Sequence, residues 1–192
     1  MTAAAPARPR VLADLLPGAL LRDVLLVIGA AALTGVAAQI SIPLPFTPVP
    51  ITLQTFTVLL AGAALGPWRA GAAMLLYLVA GVVGAPWFAD HESGMALASF
   101  GYIIGFAVAA PVVGALASRG ADRTVSGTVA IMVVGNLIIY AFGVPWLMAY
   151  AKLPLTVALE FGLWPFVVGD ALKIALAAGL LPLTWRLVGR HD

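Results

Sequence analysis

Asp170 and Lys173 stand three residues apart in WPFVVGDALKIALAAGLLPL, a stretch that is otherwise apolar. That separation puts both on one face of a helix, so a carboxylate and an ammonium meet. On insertion scales each charge costs about 2.5 to 3.5 kcal/mol at the centre of a membrane span, and a sequence that keeps both is expected to use them. Aspartate only accepts hydrogen bonds and lysine only donates them. Side by side they suit a ligand group whose N–H and C=O lie together, such as a cyclic urea, and an amino-acid zwitterion fits almost as well. Two other readings compete. One is an internal ion pair that merely serves packing. The other is an intramembrane enzyme with Asp170 as acid or base and Lys173 as its electrostatic partner. The enzyme reading is weaker because no second carboxylate, histidine or nucleophile converges on the pair.

The elements that must carry this pair are membrane helices. Of 192 residues, 62% are hydrophobic and 9% charged, against roughly 25% charged in soluble domains; the mean hydropathy is +1.07. Six apolar runs, at about 23–41, 51–66, 70–85, 99–117, 125–148 and 161–187, predict an all-α integral membrane bundle of six transmembrane helices. Arg8, Arg10 and Arg22 precede the first run, and Arg69, Arg119, Arg123, Arg186 and Arg190 fall in alternate loops, while the other side holds only Lys152. Both termini are therefore expected in the cytoplasm of a cell whose membrane the chain crosses. Residues 1–22 read as a cytoplasmic tail that can include a short surface helix, 23–187 as the membrane domain and 188–192 as a second tail. Pro6, Pro9, Asp14 and Pro17 break up the apolar core a signal peptide would need. Basic residues in short clusters between apolar runs set topology and do not suggest a nucleic-acid partner.

Cysteine is absent, which excludes thiolate and disulfide chemistry, and His91 and His191 lie in polar segments where a multi-histidine metal site is not expected. No cofactor is expected. A Gly-x-x-x-x-Gly-Lys phosphate loop is missing too, so energy for transport must come from partners or from the gradient.

Following chain direction through this topology brings the polar residues to one depth. Gln54, Tyr102, Asn136 and Tyr140 map with Asp170 and Lys173 to the outer half of the bilayer or its middle, which favours a pocket open to the outside. Phe46, Trp87, Phe88 and Trp164 are candidates for its apolar walls. Pro43, Pro45, Pro48 and Pro50 make SIPLPFTPVPITLQTF a stiff outer loop able to cover that pocket. On the first helix, Ala30, Thr34 and Ala38, or alternatively Ala31 and Gly35, recur every four residues. Small residues so spaced admit another helix, either of this bundle or of a partner.

The segments PFTPVPITLQTFTVLLAGAALG, MLLYLVAGVVGAPWF, GNLIIYAFGVPWL and GDALKIALA resemble, in order and spacing, the BioY family, the biotin-specific substrate-binding components of energy-coupling factor transporters. The resemblance runs from about residue 23 to 187. It implies a six-helix fold with an outward-facing biotin pocket, and a partner module of one transmembrane coupling protein and two ATP-binding cassette ATPases. It also implies that Asp170 and Lys173, with Gln54, Asn136 and Tyr140, contact biotin, and that residues 43–50, with Phe46 and Thr47, form its first loop. The family often reads Gly-Gly-Tyr, with a backbone contact expected at its first glycine, where this chain departs with Phe100 before Gly101 and Tyr102. Capture of another vitamin by the same architecture is the nearest alternative.

Overall fold

The computed structural model describes residues 11–188. Seven α-helices follow in order: α1 Leu20–Gln39, α2 Gln54–Leu65, α3 Pro67–Val82, α4 Phe100–Ala117, α5 Val125–Ala151, α6 Leu155–Gly162 and α7 Val167–Val188. Among the described residues four segments are long and apolar enough to cross a membrane: α1, α4, α5 and the stretch Leu155–Val188 that α6 and α7 share. The helices α2 and α3 are apolar but shorter, with 12 and 16 residues.

Three elements differ from the sequence reading for local reasons. The first helix begins at Leu20, inside the expected tail, and Val11 and Ala13 before it are buried in the core; Arg8, Arg10, Arg190 and His191 lie outside the described residues. The second begins only at Gln54, because Ile51 and Thr52 pair with Ile42 and Ser41 in a two-stranded antiparallel ribbon, β1 Ser41–Ile42 and β2 Ile51–Thr52. The proline-dense segment is thus the loop of a small hairpin within an otherwise helical fold. The last run is broken: Pro154 caps α6, and Pro165 in the 3-10 turn Trp164–Phe166 interrupts the chain before α7, since proline removes a backbone donor. Asp170 and Lys173 therefore sit in the first two turns of α7 instead of well into a single helix.

Helix α4 occupies the centre, against α2, α3 and α5. Glycine makes these approaches possible. A Cβ on Gly105 would lie 2.9 Å from the Cα of Ile139 on α5, and one on Gly114 would lie 2.6 Å from the backbone of Gly66. Gly66 has φ +81°, which lets α2 end and α3 start across one residue. Small residues at such contacts are the usual means of close helix packing in lipid.

The arginine-bearing loops gather at one end. Arg69 donates to Asp23 and Asp14 at 2.8 and 3.1 Å, and Val11, Asp14, Arg69 and Ser118 border a common cavity. At the same end the Asp122 carboxylate, fully buried, accepts the Trp185 indole N–H at 2.6 Å, and the Arg123 guanidinium lies 4.6 Å from the centre of that indole. Burial holds the Asp122 carboxyl above the usual carboxylate range. This contact ties the far end of α7 to the turn between α4 and α5 and so fixes the helix that carries Asp170.

Candidate functional site

At the opposite end of α7 the chain encloses a narrow cleft of about 50 Å³ that opens to the exterior. Asp170 stands in the first turn of α7. One carboxylate oxygen accepts the Tyr140 hydroxyl from α5; the other accepts from Thr55 and from Lys173, both at 3.4 Å. The Lys173 ammonium donates to the Thr55 hydroxyl at 2.7 Å and to the Thr52 carbonyl at 2.8 Å. All three lysine protons thus have acceptors, two of them close and the Asp170 oxygen distant.

Gln54 opens α2 with its amide N–H donating to the Tyr77 hydroxyl at 2.6 Å and its carbonyl accepting from Thr52 at 3.0 Å. Tyr77 passes the chain on to the Trp87 carbonyl at 3.1 Å. The Tyr102 hydroxyl is spent on the Gly162 carbonyl at 2.7 Å, which leaves its ring as pocket wall, edge-on to Tyr140 at 6.4 Å. Asn136, one turn from Tyr140 on α5, is 8% exposed and has no hydrogen-bond partner among the described residues.

Of the residues singled out from sequence, Asp170, Lys173, Tyr140, Gln54 and Tyr102 line this cleft together. Others are placed elsewhere. Phe88 is wholly buried against Tyr77 and Gly81, in the packing between the α3 end and its loop. Phe46 and Trp164 are 53% and 63% exposed and do not line the cleft, and Trp87 lies against Gly35 with its indole bound to the Tyr77 carbonyl. The aromatic walls come instead from Tyr102, Tyr140, Phe106 and Phe166. Thr47 donates to the Phe161 carbonyl at 2.9 Å, pinning the hairpin loop to α6. Gly101 faces α5, where a Cβ would meet Trp146 and lie 2.7 Å from the Phe142 carbonyl, so it serves helix packing and not the cleft.

The small-residue stripe of α1 is likewise mostly internal. Ala31, Thr34 and Ala38 are fully buried and Gly35 abuts Trp87; only Ala30 reaches an outer groove, which it shares with Gly29, Leu33, Ala61 and Ala64 of α1 and α2. Sequence reasoning missed Thr55, Ser99, Ile103, Phe106, Ile139 and Phe166 in the cleft. Phe106 follows Tyr102 by four residues, one helical turn, and was discoverable; Thr55 carries no signal beyond its neighbour Gln54.

An apolar bundle closed around one cleft of opposed charges and phenols defines a membrane-embedded binding protein for a small, partly polar molecule. The sequence pattern of the BioY family matches residues 7–190, and the chain belongs to that family. It is 38% identical over 159 residues to a probable biotin transporter BioY of Pyrococcus horikoshii, covering 81% of this chain and 91% of the relative. It is 34% identical to the biotin transporter BioY of Rhizobium etli, over 81% and 88%. The fold matches a crystal structure described as the S-component for biotin from an ECF-type ABC transporter, with a TM-score of 0.76, 22% identity, and coverage of 86% of this chain and 92% of that one.

Proposed function

We propose that this chain is the biotin-binding membrane subunit of a biotin uptake system, energised by a transmembrane coupling protein and two ATP-binding cassette ATPases. It is a transport component and not an enzyme. What carries the reading to the site is the clustering of Asp170, Tyr140, Thr55 and Lys173 on one wall of the cleft, in a chain whose relatives over most of their length are biotin transporters. The ureido ring of biotin has two N–H donors and one carbonyl. Asp170 accepts from the first; Lys173 serves the carbonyl by giving up its 3.4 Å contact to Asp170, the longest of its three. Gln54 offers a further amide group, Asn136 on α5 stands outside the cleft lining, and Phe106, Ile139 and Phe166 cover the apolar rings. Titration calorimetry of the purified chain against biotin, thiamine and riboflavin tests this: biotin alone is expected to bind, and equal binding of another vitamin would replace it as substrate.

In this reading six helical passes cross the bacterial plasma membrane with both termini in the cytoplasm. The arginines at the Arg69 end and Lys152 at the other support that orientation. The short α2 and α3 complete their passes with neighbours around their ends and lipid around the rest. The cleft then opens outward under the hairpin loop. Residues 41–51 are expected to gain protection from amide exchange when biotin saturates the protein; identical exchange with and without biotin would remove the lid role.

The groove between α1 and α2 replaces the buried stripe as the surface for the coupling protein, with Gly29, Ala30, Ala61 and Ala64 permitting close approach. Ala61→Trp is expected to retain biotin binding while losing copurification with the coupling protein and energised uptake. Thr34→Leu is expected to lose stability first, because its side chain is fully enclosed. Full copurification of Ala61→Trp would move the docking surface to another helix.

A further inference from the structure

The carboxylate and ammonium of the cleft stand 3.4 Å apart, and the Thr55 hydroxyl lies against both. Charge-assisted N–H···O bonds run at about 2.7 to 2.9 Å, whereas Lys173 stands 3.4 Å from Asp170. It is held instead by the Thr55 hydroxyl at 2.7 Å and the Thr52 carbonyl at 2.8 Å. Thr55 then donates its own proton to the same Asp170 oxygen at 3.4 Å. Among uncharged side-chain groups of this size, a hydroxyl accepts from an ammonium and donates to a carboxylate through one atom. Its place in the first turn of α2, beside Gln54, fixes that atom relative to both charges.

We propose that Thr55 is a positioning residue for ligand recognition: it draws the Lys173 ammonium off Asp170 and leaves one carboxylate oxygen loosely held, ready for a ligand N–H. This rests on the ureido-ligand reading above. Without the hydroxyl, Lys173 loses a short acceptor and closes onto Asp170, and the pair becomes a self-satisfied ion pair that a neutral ureido ring must break. The Thr52 carbonyl keeps its bond in either case, so the hairpin stays anchored to α7.

The effect of hydroxyl removal is therefore on affinity and on discrimination, with little on folding. Wild type is first titrated with biotin and with 2-iminobiotin, in which a cationic guanidino group replaces the ureido carbonyl and cannot accept from Lys173. Thr55→Val is then expected to bind biotin about tenfold or more weakly. Its biotin-to-iminobiotin affinity ratio falls toward one and its ligand-free melting temperature holds; Thr55→Ser restores both affinity and ratio. Thr55→Ala repeats the measurement if the valine variant does not fold. Biotin affinity of the valine or alanine variant equal to wild type overturns the proposal. So does a serine variant as impaired as valine, or a parallel loss for both ligands together with a lower melting temperature. Wild type that binds no biotin overturns the biotin reading itself, and that result is read before any variant.

Discussion

Asp170→Asn is expected to weaken biotin binding by about 30-fold or more, the equivalent of roughly 2 to 5 kcal/mol for a buried charge that loses its partner. The size follows from how many groups the carboxylate serves. One oxygen holds the Tyr140 hydroxyl and the other faces Thr55 and Lys173, all within a wall whose side chains are 8% exposed at Asp170 and 15% at Lys173. An asparagine keeps the shape but must aim its NH₂ at the Tyr140 hydroxyl or at the Lys173 ammonium, and either choice sets donor against donor unless the neighbour turns away. The ammonium then remains buried without a counter-charge, and the ureido N–H loses its strongest acceptor. Calorimetric titration of the folded variant measures this directly. Affinity within twofold of wild type would place biotin away from α7.

The legible part of this molecule was whatever produces a long-range imbalance in the sequence. Apolar runs revealed the membrane helices because a bilayer tolerates few exceptions, and Asp170 and Lys173 stood out for the same reason. Depth reckoning from chain direction brought Gln54, Tyr102 and Tyr140 to the same cleft, since helical rise converts residue count into distance. Direction around each helix axis was not legible. Gly101 and Tyr102 are adjacent in sequence yet one faces α5 and the other the cleft, and Phe88 shares its composition with Phe166 but packs under α3. The break at Pro165 was visible as a residue, but that it divides α6 from α7 depends on how Trp164–Phe166 packs. Likewise the small residues of α1 announce close packing without saying against what; Trp87 and the rest of the bundle take most of that face.

Gly105→Leu is expected to damage the fold severely, because the atoms it would meet are backbone. Its Cβ would lie 2.9 Å from Ile139 Cα and 3.1 Å from the Ile139 carbonyl oxygen, so α5 as a whole must move away from α4. Overpacking of a core costs about 1 to 3 kcal/mol where side chains can yield, and here a rigid helix must yield instead. The displacement also carries function with it, since Tyr102, Ile103 and Phe106 on α4 face Ile139 and Tyr140 on α5 across the cleft. Gly101→Leu, one turn away against Trp146 and Phe142, is expected to act in the same direction. A substitution at Gly169 provides the control: nothing lies within 4 Å of a Cβ there, so Gly169→Ala is expected to fold normally and to gain up to about 1 kcal/mol of helix propensity. Thermal unfolding in detergent, read with biotin binding, separates these outcomes. A Gly105→Leu protein that melts and binds like wild type would mean that α4 and α5 do not share this contact, and the placement of Tyr140 opposite Tyr102 would fall with it.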